Sequence, residues 1–263
     1  MCSKLLRLVI VAMLATVFAA GSSIGFARSL KTTAQSRESG DQNINIKSTR
    51  RKAQKGNSSA QYNLGVAYHR GQRVRQDFRE AAKWFRLAAE NGLVDAQYNL
   101  GLMLALGQGG RQDAAEAAKW WKLAANKGEA RAQYNLALLY KNGRGVEQSP
   151  ELAAKWFRSA AGQGIPQAQY EIGVIYFDGI GVDQDFKVAA KWLRLAAPKG
   201  IADAQYRLGI LYKEGRGVDQ NFGEAEKWLR SAAVQGLEKA QTELGPLLLK
   251  KAILDQAHSA AAQ

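Results

Sequence analysis

Cysteine is almost absent from this chain of 263 residues: Cys2 is the sole thiol, and His69 and His258 are the two histidines. With no second thiol, disulfides cannot brace the fold, and loss of Cys2 with a leader would leave no thiol chemistry at all. A zinc site takes about four ligands held close together. Two histidines far apart in sequence, with no cysteine beside them, do not supply one, so neither metal nor cofactor is expected. A G-x-S-x-G nucleophile elbow and a G-K-[ST] phosphate loop are also missing. Their absence removes the commonest hydrolase and nucleotide-binding signatures. Carboxylates such as Glu171 and Asp178 stand in no recognisable catalytic setting. The chain is expected not to be an enzyme.

No long hydrophobic run is present either. The run Leu8–Ala20 falls short of the roughly 20 residues that cross a bilayer, and Ser22, Ser23 and Gly25 follow it. With Lys4 and Arg7 in front, residues 1–27 have the layout of a secretory signal peptide cleaved after Ala27. Gly21 is a second cleavage point, and an uncleaved membrane anchor is the alternative. The expectation is export to a bacterial periplasm, with secretion as second choice.

Acidic residues are outnumbered, giving a formal net charge of +14. Much of the excess sits in residues 28–59, with eight basic and two acidic side chains; beyond them the surface charge is evenly mixed. A high pI of this kind says little about nucleic acid. Nucleic-acid binding would also need aromatics exposed among the basic residues, and no nucleic-acid partner is expected. Residues 28–43 are polar and short of large apolar side chains, so a disordered basic arm is expected there.

What the chain has in abundance is repetition. AQYNLG at Ala60 returns at Ala96, as AQYNLA at Ala132, AQYEIG at Ala168, AQYRLG at Ala204 and AQTELG at Ala240, each copy 36 residues after the last. Five units follow, 60–95, 96–131, 132–167, 168–203 and 204–239, with a degenerate helical half-unit at 44–59 and a partial sixth unit at 240–263. Positions 36 residues apart form a column, named below by its first-unit residue.

Each unit reads as two helices. Ala60, Leu64 and Tyr68 recur at i, i+4 and i+8, one side of a first helix. Gly71 ends it, and the turn is spelled GRGV at Gly143 and Gly215 and GIGV at Gly179. Unit 2 has GQGG at Gly107, so its turn is expected to be the loosest. Column 77 (Asp77, Asp113, Ser149, Asp185, Asn221) holds good N-cap residues for the second helix. Glu80, Glu116 and Glu224 lie three residues later, the spacing of a capping box. Ser149 is instead followed by Pro150 at the first helical position.

Small residues in columns 65, 81, 88 and 89 predict close helix approach. The Tyr62 and Trp84 columns are expected to fill the space between neighbouring helices. On that reading, truncating one of these tryptophans costs about 3–5 kcal/mol. Glutamine in column 61 is constant from Gln61 to Gln241; constancy suggests a local hydrogen bond to a neighbouring loop. One hairpin cannot bury its own apolar stripe, but stacked hairpins can, which makes an all-α solenoid. In the last segment Pro246 is expected to interrupt the first-helix pattern, and LLLKKAIL (Leu247–Leu254) to cap the final face.

The consensus A-x-Y-x-L-G-x-x-Y-x-x-G-x-G-V followed by A-A-K-W-[FL]-x-x-A-A-x-x-G resembles the Sel1-like repeat, a relative of the tetratricopeptide repeat. Ala132–Gly164 and Ala204–Gly236 are its sharpest copies. The resemblance implies a right-handed α/α superhelix of antiparallel helix pairs acting as an adaptor or regulator through protein contacts. Exported relatives suggest an envelope sensor or a secreted factor as partner. Cysteine-rich relatives with penicillin-binding or β-lactamase-like descriptions carry cysteine pairs that this chain lacks. A cell-wall or β-lactam hydrolase is therefore only a remote alternative.

Specificity is expected in exposed columns that vary. Along the first helices these are Asn63 and Arg70; Asn99, Met103 and Leu106; Asn135, Leu139 and Asn142; Glu171 and Asp178; Arg207 and Glu214. An asparagine side chain can donate to and accept from a peptide backbone at once. Asn63, Asn99 and Asn135 would then hold an extended segment while Met103, Leu106 and Leu139 receive its apolar side chains. A second candidate is a basic row on the second helices: Lys83 and Arg86, Lys119 and Lys122, Lys155 and Arg158, Lys191 and Arg194, Lys227 and Arg230. It would suit an acidic protein, peptidoglycan or an anionic membrane surface, or simply keep the chain solvated and monomeric.

Overall fold

The computed structural model describes residues 45–261, excepting the side chains of Asp255 and of residues 258–261. The signal peptide expected at 1–27 and the basic arm expected at 28–43 lie outside the described residues. The chain divides into two compact units, 1–48 and 49–263. Of the first, only its last residues are described: the Asn45 side chain accepts from the Ser48 backbone N–H at 3.1 Å, capping the start of a helix.

Among the described residues the structure is helical throughout. The helices are α1 (Ile46–Gln54), α2 (Ser58–Arg70), α3 (Phe78–Glu90), α4 (Val94–Leu106), α5 (Ala114–Asn126) and α6 (Ala130–Asn142). They continue as α7 (Pro150–Gly162), α8 (Pro166–Asp178), α9 (Phe186–Ala196), α10 (Ala202–Glu214), α11 (Phe222–Val234) and α12 (Glu238–Ala261). Even-numbered helices are the first of each unit and odd-numbered the second. From α2 onward, extensive contacts join each helix to the next in sequence, and α10 also touches α12. This is the antiparallel hairpin stack of a solenoid.

Every expected cap on the second helices forms. Asp77 accepts from the N–H groups of Arg79 and Glu80 at 2.9 and 3.1 Å, Asp113 from Glu116, Ser149 from Leu152, Asp185 from Val188 and Asn221 from Glu224. The capping-box half of the expectation fails. In each unit the cap residue's own N–H already donates to a column 68 carbonyl of the preceding helix, at 2.9–3.0 Å. The glutamate three residues on is left to accept from a tryptophan one turn later: Glu80 from Trp84 at 3.1 Å, Glu116 from Trp120 at 3.4 Å, Glu224 from Trp228 at 3.0 Å.

Packing corrects the tryptophan reading. Trp84 is buried, but Trp120, Trp156, Trp192 and Trp228 are only half-buried. The core column is the next one: Phe85, Trp121, Phe157, Leu193 and Leu229 are at most 3% exposed. These side chains press on the small residue in column 65. A Cβ at Gly65, Gly101, Gly173 or Gly209 would come within 2.6–2.9 Å of its column 85 neighbour. Unit 3 admits Ala137 opposite Phe157.

The turn glycines have an unforeseen second role. The second glycine of the turn, Gly109, Gly145, Gly181 or Gly217, lies against the opening backbone of the preceding unit's second helix. A Cβ there would come within 2.3–2.6 Å of backbone or proline ring atoms. In unit 1 this place is taken by Arg73, the sole non-glycine described with positive φ, at 59°. The lone helix before it, α1, starts only at Ile46, equivalent to Ala82 in the full unit. Unit 2, expected to have the loosest turn, differs in its helix end: the Gly107 N–H bonds to Leu104 as well as Met103. The final helix also departs from expectation. α12 runs through Pro246 without a break, and buries Ala240 and Leu247 against Ala225, Leu229 and Ala232 of α11.

Candidate functional site

Two glutamine columns consume the polar framework. The Nε2 of Gln61, Gln97, Gln133, Gln169, Gln205 and Gln241 donates to the carbonyl of an alanine eight residues earlier, at 3.0–3.3 Å. That alanine ends the preceding second helix, so each glutamine clasps one unit to the next. The expectation of a local bond for this column is met. The other column, Gln76 to Gln220, was not singled out in the sequence, although it is equally constant. Its side chains close the turn by donating to the carbonyls of His69, Ala105, Lys141, Phe177 and Lys213 at 2.6–3.0 Å.

What remains open on the first helices is narrower than the sequence suggested. Met103 and Leu139 are core residues, 2% and 7% exposed, as are Ile175 and Leu211 in the same column. They face the hairpin partner and cannot receive side chains of a bound segment. The asparagine row does not present three equal amides. Asn63 is exposed. Asn99 is half-buried and donates to the Tyr62 hydroxyl at 3.2 Å. Asn135 is buried beside Tyr98. In units 2 and 3 this column abuts the tyrosine of the unit before, Tyr62 beside Asn99 and Tyr98 beside Asn135.

The charged members are spent on neighbours. Lys141 pairs with Glu171 at 2.7 Å, Asp178 with Arg207 at 3.2 Å, and Lys213 with Glu243, so the first helices of units 3 to 6 are joined rung by rung. Glu214 pairs with Arg216 at 3.1 Å. Arg131 bridges Asp95 and Glu129 while lying 4.2 Å over the ring of Tyr98. Burial raises the phenol pKa of Tyr98 and Tyr134, and pushes that of Tyr170 up to about 12 with help from Asp203 and Glu171. These tyrosines stay protonated at any ordinary pH. One candidate column is exposed in every unit and different in every unit: Arg70, Leu106, Asn142, Asp178 and Glu214. Leu106 is 49% exposed.

The basic row is also partly occupied. Arg86 donates to Glu116 at 2.6 Å, which holds that carboxyl below its usual range. Arg158 and Arg194 donate to the hydroxyls of Tyr176 and Tyr212. Arg230 pairs with Glu226, Lys227 with Glu224 and Lys83 with Glu80; Lys155 lies over the ring of Trp156. Lys119, Lys122 and Lys191 are exposed and make no ion pair among the described residues.

His69 shares a hydrogen bond with Gln108 at 3.1 Å and packs edge-on against Phe78, while the side chain of His258 lies outside the described residues. Among the described residues no three groups are placed to hold a metal ion, and no helix is long and apolar enough to cross a membrane. A shallow hollow next to Leu104, Ala114 and Gly145 marks unit 2. There Gly110 and Ala114 replace the valine and phenylalanine of unit 1.

The Sel1 repeat matches residues 58–93, 94–129, 130–165, 166–200 and 202–237. This is the same period framed two residues earlier, where each first helix begins. No curated protein sequence matches the chain. Among solved structures it is similar to a protective antigen of uropathogenic Escherichia coli strains that displays an SLR fold. Identity is 39% and the TM-score 0.70 over 78% of this chain, which spans 44% of the antigen's length. It is also similar to a Sel1 repeat protein of Oxalobacter formigenes, at 32% identity and a TM-score of 0.63, covering 68% of this chain and 74% of that one. Five tandem matches on a stack of helical hairpins place the chain in the Sel1-repeat family, whose members typically bind other proteins.

Proposed function

We propose that this chain is a non-enzymatic protein-interaction scaffold or regulator of the bacterial cell envelope. It holds a peptide or extended protein segment along the face built by successive first helices. The observation that carries this reading is the contrast between columns. Columns 61 and 76 are constant and internally bonded, whereas column 70 is exposed at all five steps and never repeats a residue. A position that stays exposed and differs at each step, even where Asp178 and Glu214 also pair with neighbouring arginines, is where partner specificity can be written. The envelope setting rests on the leader-like segment at residues 1–27.

A photo-crosslinking residue placed at Leu106 or Asn142, and for comparison at Lys83 or Lys191, tests the reading in cells. Crosslinks to one protein from the first pair alone support it. Crosslinks confined to the second pair, or to none, overturn it. The unpaired Lys119, Lys122 and Lys191 favour one rival, a structural factor attached to peptidoglycan or an anionic membrane. That rival requires salt-sensitive pelleting with purified peptidoglycan or anionic vesicles, lost in the triple Lys→Gln variant.

A further inference from the structure

The two ends of the helical stack are finished differently. At the first end, α1 carries Thr49 and Lys52 in the columns where later second helices have a large apolar residue and an alanine. At the last end, α12 packs one side on α11 through Ala240 and Leu247, pinned by Lys251 to Glu226 at 2.9 Å. Its other side is bare. Gly245, Leu249, Ala252, Ile253 and Gln256 share an arc of the helix and are all exposed, Leu249 by 65% and Ile253 by 58%. No charged residue from 241 to 257 falls on that arc.

Gly245 belongs to column 65, where every other glycine is packed against a large side chain. Here a Cβ would meet nothing within 4 Å. The notch is present and its knob is missing. The same helix carries a candidate knob one turn further on. If two α12 helices pair antiparallel about a two-fold axis at Leu247, Gly245 faces the partner's Leu249 and Gln241 faces the partner's Ile253.

We propose that α12 is a self-association surface, and that two copies of the chain dimerise through antiparallel pairing of their α12 helices. An isologous contact must be complementary to itself. A small residue and a large one four positions apart satisfy this in shape. An arc without charge satisfies it electrostatically, because two molecules of net charge +14 meet where neither presents a cation. The dimer replaces the monomer expected from the charged second-helix faces, and it is independent of what the first-helix face binds.

Sedimentation velocity of the full chain across a concentration series tests the proposal. The chain is expected to pass from monomer to dimer. Leu249→Glu should weaken dimerisation by about tenfold or more and leave the far-ultraviolet dichroism unchanged, since Leu249 has no packing role within its own chain. Gly245→Phe fills the notch and should weaken the dimer likewise. With Cys2→Ser as background, the Gln241→Cys/Ile253→Cys pair should form an interchain disulfide that Ile253→Cys alone does not. A chain that stays monomeric, a dimer indifferent to Leu249→Glu, or crosslinking through Ile253→Cys alone each overturns the proposal.

Discussion

Gln97 and Gln133 occupy one column and make the same bond to an alanine carbonyl, yet their surroundings differ. The Oε1 of Gln133 accepts from Gln163 at 2.8 Å, whereas in unit 2 the equivalent residue is Lys127, which donates to Gly92 instead. The Oε1 of Gln97 is left buried without a partner. Replacing Gln133 by leucine removes two bonds, to the Ala125 carbonyl and from Gln163, a loss of about 1–3 kcal/mol. Gln97→Leu removes one bond and an orphan acceptor together, so its loss in urea unfolding should be smaller. Equal losses would contradict the assigned partners. The column was legible as a constant glutamine with a local job. The orphan was not, because it depends on a residue 30 positions away that the repeat does not hold constant.

At the scale of the helix, periodicity gave each apolar stripe but not its centre. Columns 84 and 85 are adjacent on the second helix and both large. Which one faces the hairpin partner depends on where the first helix lies, and that is fixed by the glycine notch in column 65. Phe157→Ala should therefore cost about 3–5 kcal/mol, and Trp156→Ala less, the reverse of a sequence-based ranking. Column 63 misled in the same way. Three identical asparagines differ in exposure, with Asn99 bonded to the Tyr62 hydroxyl and Asn135 buried beside Tyr98, and no spacing rule records that.

The last helix adds a pH dependence. The Glu226 carboxyl lies below the usual 4.5, first because Lys251 donates to it and then because Arg230 does. A depressed carboxylate contributes stability above its unfolded value that is lost as pH falls through the folded one. Acidification below about 4.5 should loosen α12, seen as faster amide exchange along Leu247–Leu254. Glu226→Gln should flatten that response; an unchanged response would assign it elsewhere.

For the stack as a whole, contacts run almost wholly between neighbours. Among the described residues, inner helices are braced on two sides and the end helices on one. Native-state hydrogen exchange should accordingly show α5 to α8 as the slowest region, with α1 and α12 the fastest. Uniform protection would mean a single cooperative body. The solenoid, its period and its capped joints were readable from six copies of one phrase. The available binding surface was not, since neighbouring helices cover part of it. The clasp from glutamine to the alanine eight residues before it has a genetic corollary. Because every seam uses the same atoms, a block such as 130–165 can be spliced out whole and the cut edges will rejoin, Gln169 meeting the carbonyl of Ala125 in place of Ala161. Duplication or loss of single blocks thus alters how far the molecule reaches while its joinery stays the same.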